Sequence, residues 1–468
     1  MESAAGREVY PVKWYRGTTL SAFLVAATAF TCPGVFGALN GMGAGGGASP
    51  DISNAANAIV FGVIAVGSLF AGVICNRISP RWTLVIGTLG YAPYAAGFYV
   101  VDSYGQDWLL LFGAVTCGLA ACFLWVASGA IFMGYSEENR KGFATALKFM
   151  FQNLGASIGG IVSLALNADK NYRGSITKAT YVVLIAIMSA GLPFALSVPP
   201  ADKVQRRDGR SVDLRSDQTI AGEVRILWRL AKNPTVVALV PLMLYSQWFL
   251  SYQWQFNYAY FTVRSRALNS MLFYLSGFFA SWLLGQYLDY RDWQRRTRAR
   301  GGFIIMFVSV GVSWIIGQAV QVKYAREPPA LDWADDGFGL GCFVFVLWGA
   351  SDPIVTTYKY WLVGSLTNNV NEAAYLAALI NAVGSIGSTF GFVVGLKNVP
   401  LVGACAINFA LFFLSVPGVA WVAYTKVANT SHGTSLTGLV VQSGEYQGSS
   451  GNDTTMETEQ VVVADTKL

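Results

Sequence analysis

One carboxyl group in this chain falls inside a long apolar stretch, where a charge requires a specific environment. Asp352 is followed by Pro353, and Thr356 and Lys359 come four and seven residues after the acid. That spacing places the three polar side chains on one face of a helix. A carboxylate so deep in a membrane normally faces a cavity or a partner. The pattern indicates either a proton or substrate site, or a buried polar contact at a helix that Pro353 opens.

Other polar residues within apolar stretches are candidates for the same site. Residues 245–258 mix carboxamides with aromatic rings, which favours either contacts to an organic ligand or an aromatic belt at the membrane interface. Lys148 and Lys359 either snorkel to the surface or line a cavity, which Gln152 would share. Asn40 stands among glycines and marks either a ligand contact or a turn. The candidates of this kind are Gln247, Tyr252, Asn40, Lys148 and Gln152, whereas Trp254 and Tyr258 fit the aromatic belt better.

The composition indicates that helices in a membrane must position these residues. The chain has 468 residues, of which 54% are hydrophobic and only 12% are charged. A soluble domain carries about 25% charged residues. This chain therefore has too few charges to cover the surface of a cytosolic globular enzyme, and it is too apolar to be disordered. We expect the lipid bilayer to be its main partner.

Twelve apolar windows are long enough, at about 20 residues each, to cross a bilayer as helices. They cover residues 18–39, 55–75, 82–101, 108–134, 143–166, 179–198, 235–256, 268–288, 301–321, 338–362, 373–395 and 400–424. We therefore predict an all-α membrane protein with two six-helix halves, residues 18–198 and 235–424. Residues 1–17 and the linker 199–234 would be cytoplasmic, and the polar tail 425–468 would be disordered.

The distribution of basic residues predicts the orientation of the helices. With both termini in the cytoplasm, 22 of the 32 Lys and Arg residues lie on the cytoplasmic side, 8 lie outside and two lie within spans. Cytoplasmic loops carry an excess of basic residues, so both termini are predicted to be cytoplasmic, in either the plasma membrane or an internal membrane. The glycosylation sequons at Asn429 and Asn452 would then be unused.

Two pairs of similar segments indicate an internal repeat. Residues 72–81 and 285–291 each hold a glycine four residues before a short polar residue, with an arginine after it, at an offset of 213 residues. Residues 152–160 and 381–391 share small residues about four apart, a spacing that lets helices approach closely in lipid. The pairs fall at corresponding positions of the two predicted halves.

Twelve spans in two parallel halves describe the major facilitator architecture, whose substrate site lies between the halves. The loop after the second window resembles that superfamily's signature, but Asn76 replaces the usual aspartate, which removes one partner of an ion pair. The second half retains Asp289. The charged string 137–141 is either a solvated loop or a gate that pairs with Arg77 or Arg81. The gating candidates are Asn76, Arg77, Arg81, Glu137, Arg140, Asp289 and Arg291.

A closer resemblance covers residues 30–165. The glycine-rich segment 36–47 and the segments 79–91 and 129–142 resemble the Unc-ninety-three-like (UNC93-like) family of that superfamily, in its fungal branch. The resemblance implies a multi-pass membrane protein. Some animal members act as channel regulators or trafficking chaperones, and some fungal relatives are encoded within secondary-metabolite clusters.

Several function classes lack the residues that they need. No G-x-x-x-x-G-K-[ST] loop is present, so ATP-driven transport is not expected. The single histidine, His432, lies in the polar tail, and the six cysteines lack ligand spacing, so neither a metal nor another cofactor is predicted. No nucleophile–base pair can be assembled, and the basic residues fit cytoplasmic loops rather than nucleic-acid binding.

Two functions stay open. The first is a secondary transporter of a small organic solute or ion, which is not an enzyme and is possible within a secondary-metabolite cluster. The second is a non-transporting regulator or trafficking chaperone of another membrane protein. A carrier needs polar groups that converge on a cavity from spans 1, 4, 7 and 10, whereas a chaperone could fill that space with apolar side chains.

Overall fold

A computed structural model describes residues 12–47, 49–135, 141–206, 220–290, 292–367, 370–396, 399–429 and 436. Within these residues, twelve helical segments are long and apolar enough to cross a membrane. This confirms the predicted all-α class and the number of spans.

The spans follow the predicted windows closely. In the first half the helices are Thr18–Ala29 with Val35–Gly41 (span 1), Pro50–Ile78 (span 2), Pro80–Thr88 with Tyr91–Tyr104 (span 3), Trp108–Gly134 (span 4), Lys141–Leu166 (span 5), and Lys178–Ser189 with Gly191–Ser197 (span 6). In the second half they are Pro234–Trp248 with Leu250–Tyr260 (span 7), Val263–Leu288 (span 8), Arg295–Arg326 (span 9), Phe338–Gly364 (span 10), Val370–Leu396 (span 11) and Leu401–Trp421 (span 12).

Among the spans that carry candidate residues, spans 1 and 7 are interrupted, whereas span 10 is not. In span 1, a π-helical turn over Phe30–Gly34 surrounds Pro33, which cannot donate a backbone hydrogen bond. Span 7 is interrupted at Phe249. Span 10 is a continuous helix through Pro353, so the expected opening of the helix there is wrong. The proline ring has room because it packs where Gly277 of span 8 has no side chain.

The buried apolar residues form two clusters, one built mainly from residues 22–204 and the other from residues 230–427. The halves meet along two pairs of helices, span 2 against span 11 and span 5 against span 8. Large apolar side chains such as Phe112, Leu283 and Leu414 are exposed on the outside, as expected for surfaces that face lipid rather than water.

The two ends of the bundle differ in their contacts. We call the end formed by residues 41–47, 167–177, 257–266 and 329–332 the glycine end, and the opposite end the terminal end. At the terminal end, the linker contains a helix that was not predicted, Ile220–Lys232, which is amphipathic.

Candidate functional site

Asp352 is buried between spans 7 and 10, and only 9% of the residue is exposed. Its Oδ1 accepts a hydrogen bond of 3.1 Å from Nε2 of Gln253. Its Oδ2 has no hydrogen-bond partner, and neither has Oε1 of Gln253, among the described residues. One carboxyl oxygen and one amide oxygen are thus both acceptors without donors. A proton on Oδ2 would supply the missing donor for the pair.

Lys359 lies two helical turns after Asp352 in span 10 and is 2% exposed. Its Nζ donates a 2.7 Å hydrogen bond to Oγ of Ser246 in span 7. The alternative that this lysine snorkels to the surface is therefore wrong. The ammonium stays inside because a hydroxyl group of the neighbouring span accepts a hydrogen bond from it.

Lys148 of span 5 is also buried, with 5% exposed. Its Nζ lies 3.9 Å from the centre of the Trp125 ring of span 4 and 5.8 Å from that of Phe149. Snorkelling is wrong for this residue too, since the face of the tryptophan ring attracts the ammonium into the bundle. No carboxylate among the described residues forms an ion pair with either buried lysine.

An aromatic pair connects these two lysines across the halves. The rings of Phe149 and Tyr360 lie 6.1 Å apart, and Nζ of Lys359 lies 5.2 Å from the Tyr360 ring. The Tyr360 hydroxyl donates to Oδ1 of Asn381 at 2.7 Å. Two cations from different halves therefore flank one pair of rings.

The other candidates of spans 5, 7 and 10 have varied surroundings. Tyr252 donates a 2.8 Å hydrogen bond to Oε1 of Gln321, within the packed interior of the second half. Gln247 lies against Gly384 of span 11. Gln152 has a buried Oε1 without a partner among the described residues, and Thr356 is half-buried.

Asn40 belongs to a buried polar cluster at the end of span 1. Its Oδ1 accepts hydrogen bonds from Nδ2 of Asn57 at 3.0 Å and from the hydroxyl of Tyr94 at 3.1 Å. In the second half, Nδ2 of Asn269 likewise donates to Oδ1 of Asn257 at 3.0 Å. Spans 1 and 2 therefore share an asparagine pair that spans 7 and 8 repeat. This repeat was not among the predicted ones, although asparagines directly after the first and seventh windows were its signal in the sequence.

A cavity lies at the seam beside this cluster, with about 250 Å³ of space, part of it open to solvent. Its lining combines side chains of span 2 with Trp254, Gln255 and Tyr258 of span 7. Nδ2 of Asn54 and Nε1 of Trp254 are buried there without a partner among the described residues. Trp254 and Tyr258 thus line this cavity at the seam, and the interpretation of these two residues as an aromatic belt at the membrane interface is wrong.

Arg266 of span 8 joins the two halves at the glycine end. From the sequence it contributed only to the count of basic residues. Arg266 of span 8 is 2% exposed. Its guanidinium donates to the carbonyl oxygens of Gly174, at 2.7 Å, and Gly46, at 3.2 Å, and it lies 4.9 Å from the centre of the Tyr258 ring. A charged donor of the second half therefore binds backbone acceptors of the first half.

Further donors of the second half reach the same glycine-rich segment. Nδ2 of Asn257 donates to the carbonyl of Gly41, and the hydroxyl of Tyr274 to that of Gly37, both at 2.8 Å. Gly43 has a φ of 80°, and a β-carbon on it would lie 2.6 Å from the carbonyl oxygen of Trp254. Only glycine permits this close approach of the backbones.

An ion pair also stabilises the loop between spans 9 and 10 at this end. Nε of Arg264 donates to Oδ1 of Asp332 at 2.8 Å, and the hydroxyl of Thr262 donates to the same oxygen at 2.8 Å. Donation by the Arg264 guanidinium, followed by that of Thr262, holds the pKa of the Asp332 carboxyl well below its usual range.

The gating candidates lie at the terminal end, and the structure describes only some of them. Nη2 of Arg81 donates to the carbonyl of Leu196 at 2.7 Å, within the first half. Arg77 and Asp289 are exposed. The described residues do not include Glu137, Arg140, Arg291, the side chain of Asn76 or the sequon residue Asn452. The other sequon residue, Asn429, donates from Nδ2 to Oε1 of Gln294 at 3.1 Å.

Twelve spanning helices, joined as two halves around buried polar groups, define the class of protein. The model of the Major Facilitator Superfamily matches residues 19–392, and the chain belongs to this superfamily. Its similarity to several curated proteins over most of its length places it in the UNC93-like family.

Three relatives illustrate that similarity. Notoamide biosynthesis cluster protein O' of Aspergillus versicolor is 32% identical over 416 residues, which are 88% of this chain and 90% of that protein. An UNC93-like protein of Schizosaccharomyces pombe is 32% identical over 427 residues, 90% of this chain and 84% of the relative. UNC93-like protein 1 of Arabidopsis thaliana is 29% identical over 424 residues, 89% and 92% of the two chains.

Solved structures share the fold at low sequence identity. A partially occluded, inward-open form of the xylose transporter XylE from E. coli aligns with a TM-score of 0.57 and 13% identity, and the alignment covers 86% of this chain and 95% of that one. A D-xylose-proton symporter aligns with a TM-score of 0.54 and 14% identity, covering 88% and 97%. At this identity the likeness concerns the fold alone.

Proposed function

We propose that this chain is a secondary transporter that moves a small organic solute or ion by alternating access, driven by protons at Asp352. The observation that carries the proposal is a pair of acceptors without a donor among the described residues, Oδ2 of Asp352 and Oε1 of Gln253. A proton on Oδ2 would let the carboxyl donate to the amide, while Nε2 of Gln253 keeps its hydrogen bond to Oδ1. Loss of that proton leaves a buried carboxylate with a single donor, which is costly.

The contacts at the glycine end supply a gate for this transporter. Arg266, Asn257 and Tyr274 join the halves through backbone carbonyls of residues 37–46 and of Gly174. Rocking of the halves would break these hydrogen bonds and open the seam at this end. Following the distribution of basic residues, we propose that the glycine end faces outward and that both termini are cytoplasmic.

The names of similar proteins support this proposal. Two proteins with the same fold are a xylose transporter and a D-xylose-proton symporter. One relative is named for a notoamide biosynthesis cluster, and we propose that the solute of this chain is likewise connected with a secondary-metabolite cluster.

A second candidate function is a non-transporting regulator or trafficking chaperone of another membrane protein. The small size of the cavity at the seam between the halves favours it, because this cavity holds only about 250 Å³ of space, part of it open to solvent. A chaperone needs no continuous passage for a solute.

The test compares cells that produce the native chain, Asp352→Asn, Asp336→Asn as an exposed-acid control, or no chain. Mass spectrometry of cells and medium measures metabolites and ions at two external pH values. If the chain is a proton-coupled carrier, it should change the distribution of one solute between cells and medium. This change should depend on pH in the native and Asp336→Asn cells but not in the Asp352→Asn cells.

Size-exclusion chromatography first establishes that each variant is folded. The chaperone would be favoured if solute levels are unchanged and another membrane protein is lost from its membrane when the chain is absent. An unchanged pH dependence in folded Asp352→Asn would remove Asp352 from the proposal.

A further inference from the structure

Lys148 and Lys359 are buried cations that form no ion pair among the described residues, and the proposed proton site does not explain them. Lys148 and Lys359 are 5% and 2% exposed. An ammonium group inside a bilayer costs several kcal/mol unless it is paired. The Lys359 ammonium has the Ser246 hydroxyl, and Lys148 has ring faces but no hydrogen-bond acceptor among the described residues.

Their position makes a purely structural role unsatisfactory. Elsewhere, the buried Arg266 donates to two backbone carbonyls, and the Arg264 guanidinium has a carboxylate partner. These two arginines each have more than one oxygen acceptor, whereas Lys359 has a single hydroxyl and Lys148 has only ring faces. Lys148 and Lys359 come from different halves and converge on the Phe149–Tyr360 ring pair, which lies at the seam that a transporter would open.

We propose that the seam between Lys148 and Lys359 binds an organic anion. The negative group of the ligand supplies the missing counter-charge, and its apolar body packs against the rings of Phe149, Tyr360 and Trp125. Because the two cations belong to different halves, a bound anion draws the halves together. The inference rests on the proposed transport function and specifies the class of its substrate.

Asp352 defines a separate position within the same span. It precedes Lys359 by seven residues, which is about 10 Å along a helix. Its carboxyl is occupied by Gln253 and not by either lysine. A negative ligand beside Lys359 thus does not need to displace an existing salt bridge, and the proton site and the anion site are distinct.

The test measures ligand binding to the purified full chain in lipid nanodiscs by thermal unfolding. The probes are benzoate, 1-naphthoate and hexanoate, each compared with its own amide, and 1-naphthylmethylamine as a cation of matching shape. We expect at least one carboxylate to raise the unfolding temperature, whereas its amide and the amine do not. Lys148→Gln and Lys359→Gln should each weaken this binding about 10- to 100-fold, as expected when a charged hydrogen-bond donor is lost.

The matched control is Lys232→Gln. Lys232 also places its ammonium over a tryptophan ring, with Nζ 4.6 Å from the centre of the Trp228 ring, but it is exposed on the linker helix. This variant should bind the anion like the native chain. Without ligand, Lys148→Gln should unfold at the same or a higher temperature than the native chain, because it removes an uncompensated buried charge.

The outcomes separate this inference from the proposed function. The inference is overturned if no carboxylate binds, if amides and the amine bind equally well, or if Lys232→Gln weakens binding as much as the buried-lysine variants. Selective transport of a neutral solute in proteoliposomes would also overturn it, while the transport function would stand. Anion binding that depends on both buried lysines, without any transport, would support the site and refute the transporter.

Discussion

The substitution Gly160→Ala should open the glycine end of the seam. Gly160 of span 5 faces span 8 of the other half, and a β-carbon on it would lie 2.8 Å from Cα and 2.9 Å from the backbone nitrogen of Met271. Ordinary contacts of a β-carbon begin at 3.4 Å. The obstacle is backbone, so a change of side-chain rotamer cannot relieve the clash, and the two helices must separate.

The size of the effect follows from the cost of overpacking. Added methyl groups in a packed interior cost about 1–3 kcal/mol. The clash exists only while spans 5 and 8 are packed closely, so this cost falls on the closed state alone. The ratio of open to closed molecules at the glycine end should therefore rise by about 5- to 150-fold.

Gly62→Ala is the matched control. Gly62 of span 2 also faces the other half, but its β-carbon would lie 3.8 Å from Cγ2 of Thr389, an ordinary contact. Such a substitution should change the free energy by no more than about 0.5 kcal/mol. The two glycines thus differ in available space while sharing their position between the halves.

Distances between spin labels would measure the opening. Cysteines at Asp107 and Asp336, both exposed and in loops of different halves at the glycine end, would carry the labels. The six native cysteines are buried and should react slowly. Double electron–electron resonance should show a new population at longer distance in Gly160→Ala and the native distribution in Gly62→Ala. Identical distributions in two folded variants would refute this account of the seam.

Three further predictions concern charged groups. Arg266→Met removes the donor to Gly46 and Gly174 and should weaken closure by about 2–4 kcal/mol, as seen in the same label distances, whereas an unchanged distribution would argue against a latch. Asp352→Asn should abolish any pH dependence of transport, as measured by uptake into vesicles at two pH values. The native chain should lose stability as the pH falls below about 4, because Asp332 has a lowered pKa in the folded state. In thermal unfolding, the unfolding temperature of Asp332→Asn should fall less at acidic pH than that of Asp336→Asn.

The sign of the acid effect follows from the direction of the pKa shift. A carboxyl whose pKa is lowered by folding stabilises the protein above the pKa of the unfolded chain, and this stabilisation is lost as protons bind at lower pH. An equal acid sensitivity of Asp332→Asn and the native chain would contradict a stabilising role for the pair with Arg264.

The number and positions of the spans could be predicted from the sequence, because the thickness of the hydrocarbon region sets the length of an apolar run and that run is local. Asp352 lies within such a run, so its position inside a span was predictable too. The continuity of span 10 through Pro353 was not predictable, because the missing side chain of Gly277 on another helix makes room for the ring.

The partners of the buried polar groups were decided by tertiary structure alone. Whether Lys148 reaches the surface or the Trp125 ring depends on how spans 4 and 5 are rotated against each other. The contact between Arg266 and the glycine-rich segment joins residues more than two hundred positions apart. Apolar patterning determines that a helix spans the membrane. Lipid contacts do not distinguish one apolar face of a helix from another. The packing of helices from distant parts of the chain therefore determines which polar side chains meet.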